Sequence, residues 1–167
     1  EIGERLRTWA DYPPIIIDES DGELDSCQRA LDIGYAGTSH KNCKGVFKSI
    51  ANACLIERRR RQNPNRNYIL SAEDLTTTGP ISVQQDLAVV ATLGLPHVER
   101  NGHHFFRGLE AFGEDIQSAT RKAHTDLFRG HEEGFTTLDI VEGRISLSSV
   151  LDAPFGYQVS DEALHDF

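Results

Sequence analysis

Four short stretches of this chain carry side chains able to move protons or hold a cation. Asp18-Glu19-Ser20-Asp21 offers carboxylates, and His40-Lys41 with Lys44-Gly45 offers an imidazole and two amines. Glu73-Asp74 is a second acid pair, and Glu99-Arg100-Asn101 with His103-His104 is a mixed group. Oxygen ligands such as Asp18 suit a hard divalent cation, Mg²⁺ above others. A lysine packed beside a bound cation has its pKa lowered, so Lys41 could act as a base near neutral pH. A metal, a lysine and a further acid around one pocket would suit proton abstraction next to a carboxylate. The metal would neutralise the enediolate that forms.

Each of these stretches follows an apolar segment that must position it. Ile15-Ile16-Ile17 reads as a short buried strand, followed by a helix over 25–33 closed by Gly34. Residues 35–41 read as a second strand. A longer helix over 45–62 places Val46, Ile50, Ala53 and Cys54 on one apolar stripe and stops at Asn63-Pro64-Asn65. Residues 67–72 form the third predicted strand. Gly79-Pro80 opens a helix with Leu87, Val90 and Ala91 inward and Gly94 as its cap. His97-Val98-Glu99-Arg100 reads as the fourth strand. Strands near 15–18, 36–41, 67–72 and 97–101, separated by helices, predict an α/β chain of parallel β/α units. The carboxyl ends of these strands are charged, whereas Tyr12-Pro13-Pro14, Tyr35-Ala36-Gly37 and Gly94-Leu95-Pro96 at the other ends are not. Barrel enzymes show that asymmetry because their chemistry sits on one rim.

Beyond Gly102 the rhythm changes. A helix over 114–128 is predicted with Ile116, Ala119, Ala123 and Leu127 inward. Residues 136–140 and 144–147 would flank Glu142-Gly143 as a hairpin, and 151–167 would form an arm. Positions 110–167 thus extend the four units.

Ile15-Ile16-Ile17-Asp18-Glu19-Ser20, then His40-Lys41-Asn42-Cys43-Lys44-Gly45, resembles the enolase superfamily in its mandelate racemase and muconate lactonizing branch. The resemblance covers nearly the whole chain, 1–167, and implies the second half of a TIM-like, enolase-type barrel domain. It implies that Asp18 is a Mg²⁺ ligand at the end of the family's fifth strand and Lys41 an acid/base at the end of the sixth. His97-Val98-Glu99-Arg100 is similar to the eighth strand, which would set Glu99 against the developing enolate. Glu142-Gly143-Arg144-Ile145 and Ala153-Pro154-Phe155-Gly156 are similar to the segment that returns to the capping domain. The family's other metal ligands, second-strand lysines and capping domain would lie upstream of residue 1, so the resemblance implies negligible activity for these residues alone. Where the racemase group has a histidine on its seventh strand, this chain has Glu73-Asp74, so a His-Asp dyad is not expected. The implied activity is that of an isomerase or lyase on a small carboxylate substrate: racemisation or epimerisation, dehydration or cycloisomerisation.

Other readings stand beside these. Asp18 alone reads as a turn or N-cap acid, and Lys41 as a solvated strand-end lysine. Lys44 reads as a surface residue or a substrate contact. His40, Glu73 and Asp74 are candidate substrate contacts, but a strand-end histidine is commonly satisfied by a carbonyl, and the two acids could cap a helix. Glu99 could simply pair with Arg100. His103-His104 on an extended segment would point opposite ways and so would not chelate. The alternative to an enzyme is a non-catalytic α/β half-barrel that self-associates or docks a partner through exposed sheet edges.

Composition narrows the classes. At 167 residues, 38% hydrophobic and 26% charged, the chain is sized and composed as one ordinary globular domain. A net charge of -9 repels phosphate backbones, and Arg58-Arg59-Arg60-Arg61 sits where cations complement a helix's carboxyl end, so no nucleic-acid partner is expected. Apolar runs are far shorter than the roughly 20 residues of a membrane span. Cys27, Cys43 and Cys54 lack C-x-x-C spacing, which points to reduced thiols and a cytoplasmic location. The absence of Met leads to the expectation of a processed start or a piece of a longer protein, forming a homo-oligomer or associating with the missing N-terminal half.

Overall fold

The computed structural model describes residues 2–9 and 13–158. The chain divides into two units, Glu1–Glu73 with Leu95–Val98 and Asp74–Gly94 with Glu99–Phe167. Tyr12 and positions 159–167 of the expected arm lie outside the described residues.

In the first unit, β1 (Gly37–His40) pairs in parallel with β2 (Ile69–Ala72), Gly37 opposite Ile69 and His40 opposite Ala72. Ile15–Ile17 lies along the other side of β1 through a parallel bridge from Ile17 to Thr38. The Ile17 N–H donates to the Gly37 carbonyl at 3.0 Å, and the Ser39 N–H donates to the Ile17 carbonyl at 3.2 Å. The sheet therefore has two strands, and the short buried strand expected at Ile15-Ile16-Ile17 is reduced to one parallel bridge at Ile17, with Ile15 exposed. Gly37 permits the closest approach, since a Cβ there would sit 1.7 Å from the Ile69 carbonyl oxygen. Helices α1 (Ile2–Arg7), α2 (Ser26–Ile33) and α3 (Val46–Gln62) complete the unit. Gly34 ends α2 in the left-handed conformation, its N–H returning to the Ala30 carbonyl. Cys27, Leu31, Ile56, Tyr68 and Leu70 form the core.

Helix α3 corrects the expected stripe. Val46 and Ile50 are exposed, as is Cys54, while Lys48, Ser49, Asn52 and Ile56 are buried. The inward face is polar because β1 presents Thr38, Ser39 and His40 to the interior, and these need hydrogen-bonding partners rather than aliphatic ones.

The second unit contains α4 (Ser82–Thr92), α5 (Asn101–Phe105), α6 (Glu114–Ala123), an antiparallel pair β3 (Phe128–Gly130) and β4 (Thr136–Leu138), and α7 (Ser148–Asp152). Its core joins Val83, Leu87, Leu109, Leu127, Phe128, Leu138 and Val150. Of the predicted fourth strand only a single bridge residue, Glu99, remains: Arg100 turns inward to two acids, and the chain enters α5 at Asn101. His103 and His104 therefore stand on a helix, not an extended segment. The helix expected over 114–128 ends at Ala123 and buries Gln117 and Thr120, because the Gln117 carboxamide accepts the Thr136 N–H at 2.8 Å and donates to the Phe112 carbonyl at 2.8 Å. Phe128 then begins a strand, and β4 pairs with it instead of with 144–147. Glu142 and Gly143 do make the expected turn, with φ of 50° and 74° and an isolated bridge from Val141 to Arg144. The fold is mixed α/β with a short parallel sheet, and no described helix is long and apolar enough to cross a membrane.

Candidate functional site

Parallel pairing decides which side chains meet at the carboxyl edge of the first unit. Asp18, Lys41 and Glu73 each stand one residue beyond a paired position (Ile17, His40 and Ala72), and the Glu73 N–H donates to the His40 carbonyl at 3.0 Å. By register Lys41 is level with Glu73, while Asp18 is level with Ser39, two residues earlier on the chain, and the side chains of all three meet at one rim.

Lys41 is the centre of the group. Its side chain is 3% exposed, and its Nζ lies 2.9 Å from Asp18 Oδ2, 3.1 Å from Glu19 Oε1 and 2.9 Å from Glu73 Oε2. Lys44 takes the other side of Asp18, with Nζ 2.8 Å from Oδ1, and also donates to the Asp18 carbonyl at 2.9 Å and to the Ser39 carbonyl at 3.1 Å. Ser39 Oγ donates to Asp18 Oδ1 as well. Burial disfavours the charged Lys41, but hydrogen bonds to Glu73, Asp18 and Glu19 outweigh it and hold the ammonium above the ordinary lysine range. Burial likewise pushes the Asp18 carboxyl up, and donation from Lys44, Ser39 and Lys41 overrides it, leaving Asp18 well below the usual carboxylate range. The expected lowering of the Lys41 pKa is therefore reversed. In this arrangement Lys41 is a proton-bearing ammonium, because three carboxylates surround it.

Asp18, Glu19 and Glu73 offer ligand atoms within 4.8 Å of one another, a donor set whose chemistry suits a hard cation. The Lys41 ammonium already touches all three carboxylates, and Lys44 holds the second oxygen of Asp18. As arranged, the group does not fit a Mg²⁺ ion.

His40 is 1% exposed and lies against α3, with its Nδ1 2.6 Å from Ser49 Oγ. Burial, with Lys44 nearby, lowers its pKa to about 4 against a weaker opposing hydrogen bond with Asn42, so it is neutral at pH 7. It is an interior group, not the substrate contact expected at the rim. Beneath the rim, Asp21 is 1% exposed and pairs with Lys48 at 3.1 Å. It also accepts hydrogen bonds from Thr38 Oγ1 at 2.8 Å and Asn52 Nδ2 at 3.1 Å. The Asp21 N–H closes a turn onto the Asp18 carbonyl at 2.8 Å, tying Asp18 and Glu19 to this interior cluster.

Asp74 and Glu99 belong to the second unit. Asp74 is buried: Oδ1 accepts the N–H groups of Thr76 and Asn101, each at 2.9 Å, and Oδ2 pairs with Arg100 at 3.2 Å. With these lone pairs engaged, Asp74 organises the start of α5 and has little capacity left for a substrate. Glu99 is exposed, and its carbonyl accepts the Asp74 N–H at 3.1 Å. Sequence reasoning named Glu19 and Asp21 among the carboxylates after the first segment, but gave no role to Ser39 or to the Lys48 and Asn52 partners of Asp21. The only available signal was Lys48, Asn52 and Ile56 at helical i, i+4, i+8 spacing, a stripe that hydrophobicity alone passes over.

No family model matches the chain, and no curated protein and no solved structure matches it either.

Proposed function

We propose that these residues are part of an enolase-superfamily enzyme of the mandelate racemase and muconate lactonizing kind, which moves a proton next to the carboxylate of a small organic acid. The observation that carries this reading is the Lys41 ammonium at the carboxyl end of β1, gripped by acids from the carboxyl ends of the two parallel segments that flank it. Parallel neighbours in chain order with charged carboxyl ends support this reading, since consecutive units of a barrel bring their reacting groups to one rim.

In this reading Lys41 is the donor half of the acid/base chemistry. Its charge stabilises the enediolate left when a second base, which the resemblance assigns to a partner lysine, takes the α-proton, and the Lys41 ammonium then gives its own proton to carbon and is left a neutral amine. Glu73 and Asp18 aim the amine, and Glu19, 82% exposed, forms the solvent-facing lip. Glu99 is assigned to the enolate on the resemblance alone. The Mg²⁺ that the resemblance attaches to Asp18 enters no step, because lysines hold both of its oxygens.

The test is deuterium incorporation at the α-carbon of 2-hydroxy and 2-amino carboxylates in D₂O, followed by proton NMR on the natural protein in which these residues occur. Incorporation is expected to fall by roughly 100-fold or more in Lys41→Met. Equal incorporation by wild type and Lys41→Met would remove Lys41 from the chemistry and the reading with it.

A further inference from the structure

We infer that Lys41 is the resident cation of the Asp18, Glu19 and Glu73 cluster, and that its ammonium excludes a divalent ion from these three carboxylates. The inference concerns the site of the proposed proton transfer but stands on geometry independent of that chemistry. It parts from the resemblance, which assigns Asp18 to a metal.

The ligand atoms lie within 4.8 Å of one another, and Nζ is 2.9 to 3.1 Å from an oxygen of each acid. A Mg²⁺ ion bound to them would sit about 2.1 Å from each oxygen, or a Ca²⁺ ion about 2.4 Å, in the volume the ammonium fills. Two cations at such separation repel strongly, and the Lys41 side chain is only 3% exposed, so its ammonium is held among the acids rather than in solvent. Charge counting agrees: three carboxylates face two ammonium groups, Lys41 and Lys44, so one negative charge remains rather than three. The second oxygen of Asp18 offers no escape, since Lys44 and Ser39 both donate to it. Lysine thus supplies at this rim the positive charge that a metal would bring, tethered to the chain and independent of metal supply.

The experiment is Mn²⁺ titration of this chain by calorimetry, with amide NMR line broadening to locate the ion. Wild type is expected to show no single-site binding tighter than about 1 mM, and no selective broadening at Asp18, Glu19 and Glu73. Lys41→Met frees the carboxylates and should bind Mn²⁺ at least about tenfold more tightly, an affinity lost again in Lys41→Met with Glu73→Gln. Lys41→Arg keeps the charge and should behave as wild type. One Mn²⁺ broadening Asp18 and Glu73 in wild type overturns the inference, as does a folded Lys41→Met that binds no more tightly than wild type. Should Lys41→Met fail to fold, the wild-type and Lys41→Arg titrations still decide. Deuterium incorporation is a separate readout, so the proposed proton transfer can survive or fail independently of this result.

Discussion

Two acid clusters in this molecule are built from similar parts and differ in what is left over. In the first unit, Lys41 meets Asp18, Glu19 and Glu73, whose side chains are 32%, 82% and 17% exposed. In the second, Arg100 meets Asp74 at 3.2 Å and Asp86 at 2.6 Å, with exposures of 8%, 0% and 3%. The planar guanidinium suits a closed, multiply bonded pair, and the Asp74 oxygens that remain are filled by backbone N–H groups. The Lys41 cluster keeps one cation buried while its acids open to solvent. Burial of every member makes a cluster architectural; a buried centre with an open rim makes one available to a ligand.

The largest expected effect lies in the closed cluster. Asp74→Ala strips Arg100 of a partner and the start of α5 of its acceptor, and should cost about 3–5 kcal/mol in urea denaturation. A cost below about 1 kcal/mol would show that the cluster is less closed than its burial states.

The next effect is one of pH and belongs to the first unit. His40 has a folded pKa of about 4, below its ordinary 6.5, so the unfolded chain takes up a proton that the folded one refuses. Its contribution is complete above pH 6.5 and is lost as the pH falls toward 4, a total on the order of 3 kcal/mol. Protection factors, that is exchange corrected for the intrinsic amide rate at each pH, should therefore fall around β1 and α3 between pH 6.5 and 4, and His40→Gln should flatten that dependence. An unchanged slope in the variant would assign the titration elsewhere.

The smallest effect is at the rim. Glu19→Gln removes a mostly exposed charge and should change stability by less than about 1 kcal/mol. A loss as large as that of Asp74→Ala would erase the distinction between the two clusters.

Much of the first unit was legible. The segments around β1 and β2 read correctly because short apolar runs between turn residues have few alternatives, whereas the buried strand expected at Ile15-Ile16-Ile17 reduces to a single bridge at Ile17, with Ile15 exposed. Once their parallel order was inferred, Asp18, Lys41 and Glu73 had to share an edge. The sense of the Lys41 shift was not legible, since type and spacing do not count how many carboxylates surround an amine. The second unit was read less well. Gln117 supports β4, which no hydrophobic pattern encodes, and Arg100 turned a predicted strand into the lead-in to α5.

By itself the sequence determined the parallel segments, their charged carboxyl edge and the turn at Glu142-Gly143, because local sterics and side-chain period act over a few residues. Only the tertiary structure decided that α3 faces inward with Lys48 and Asn52, that His40 is interior and neutral, and that Lys41 fills its acidic cluster. Those outcomes depend on desolvation and on partners 9 to 32 residues away in the chain, as with His40 and Ser49 or Lys41 and Glu73. Burial and pairing energies are properties of the assembled interior, where a charge is tolerated only if another residue arrives to meet it.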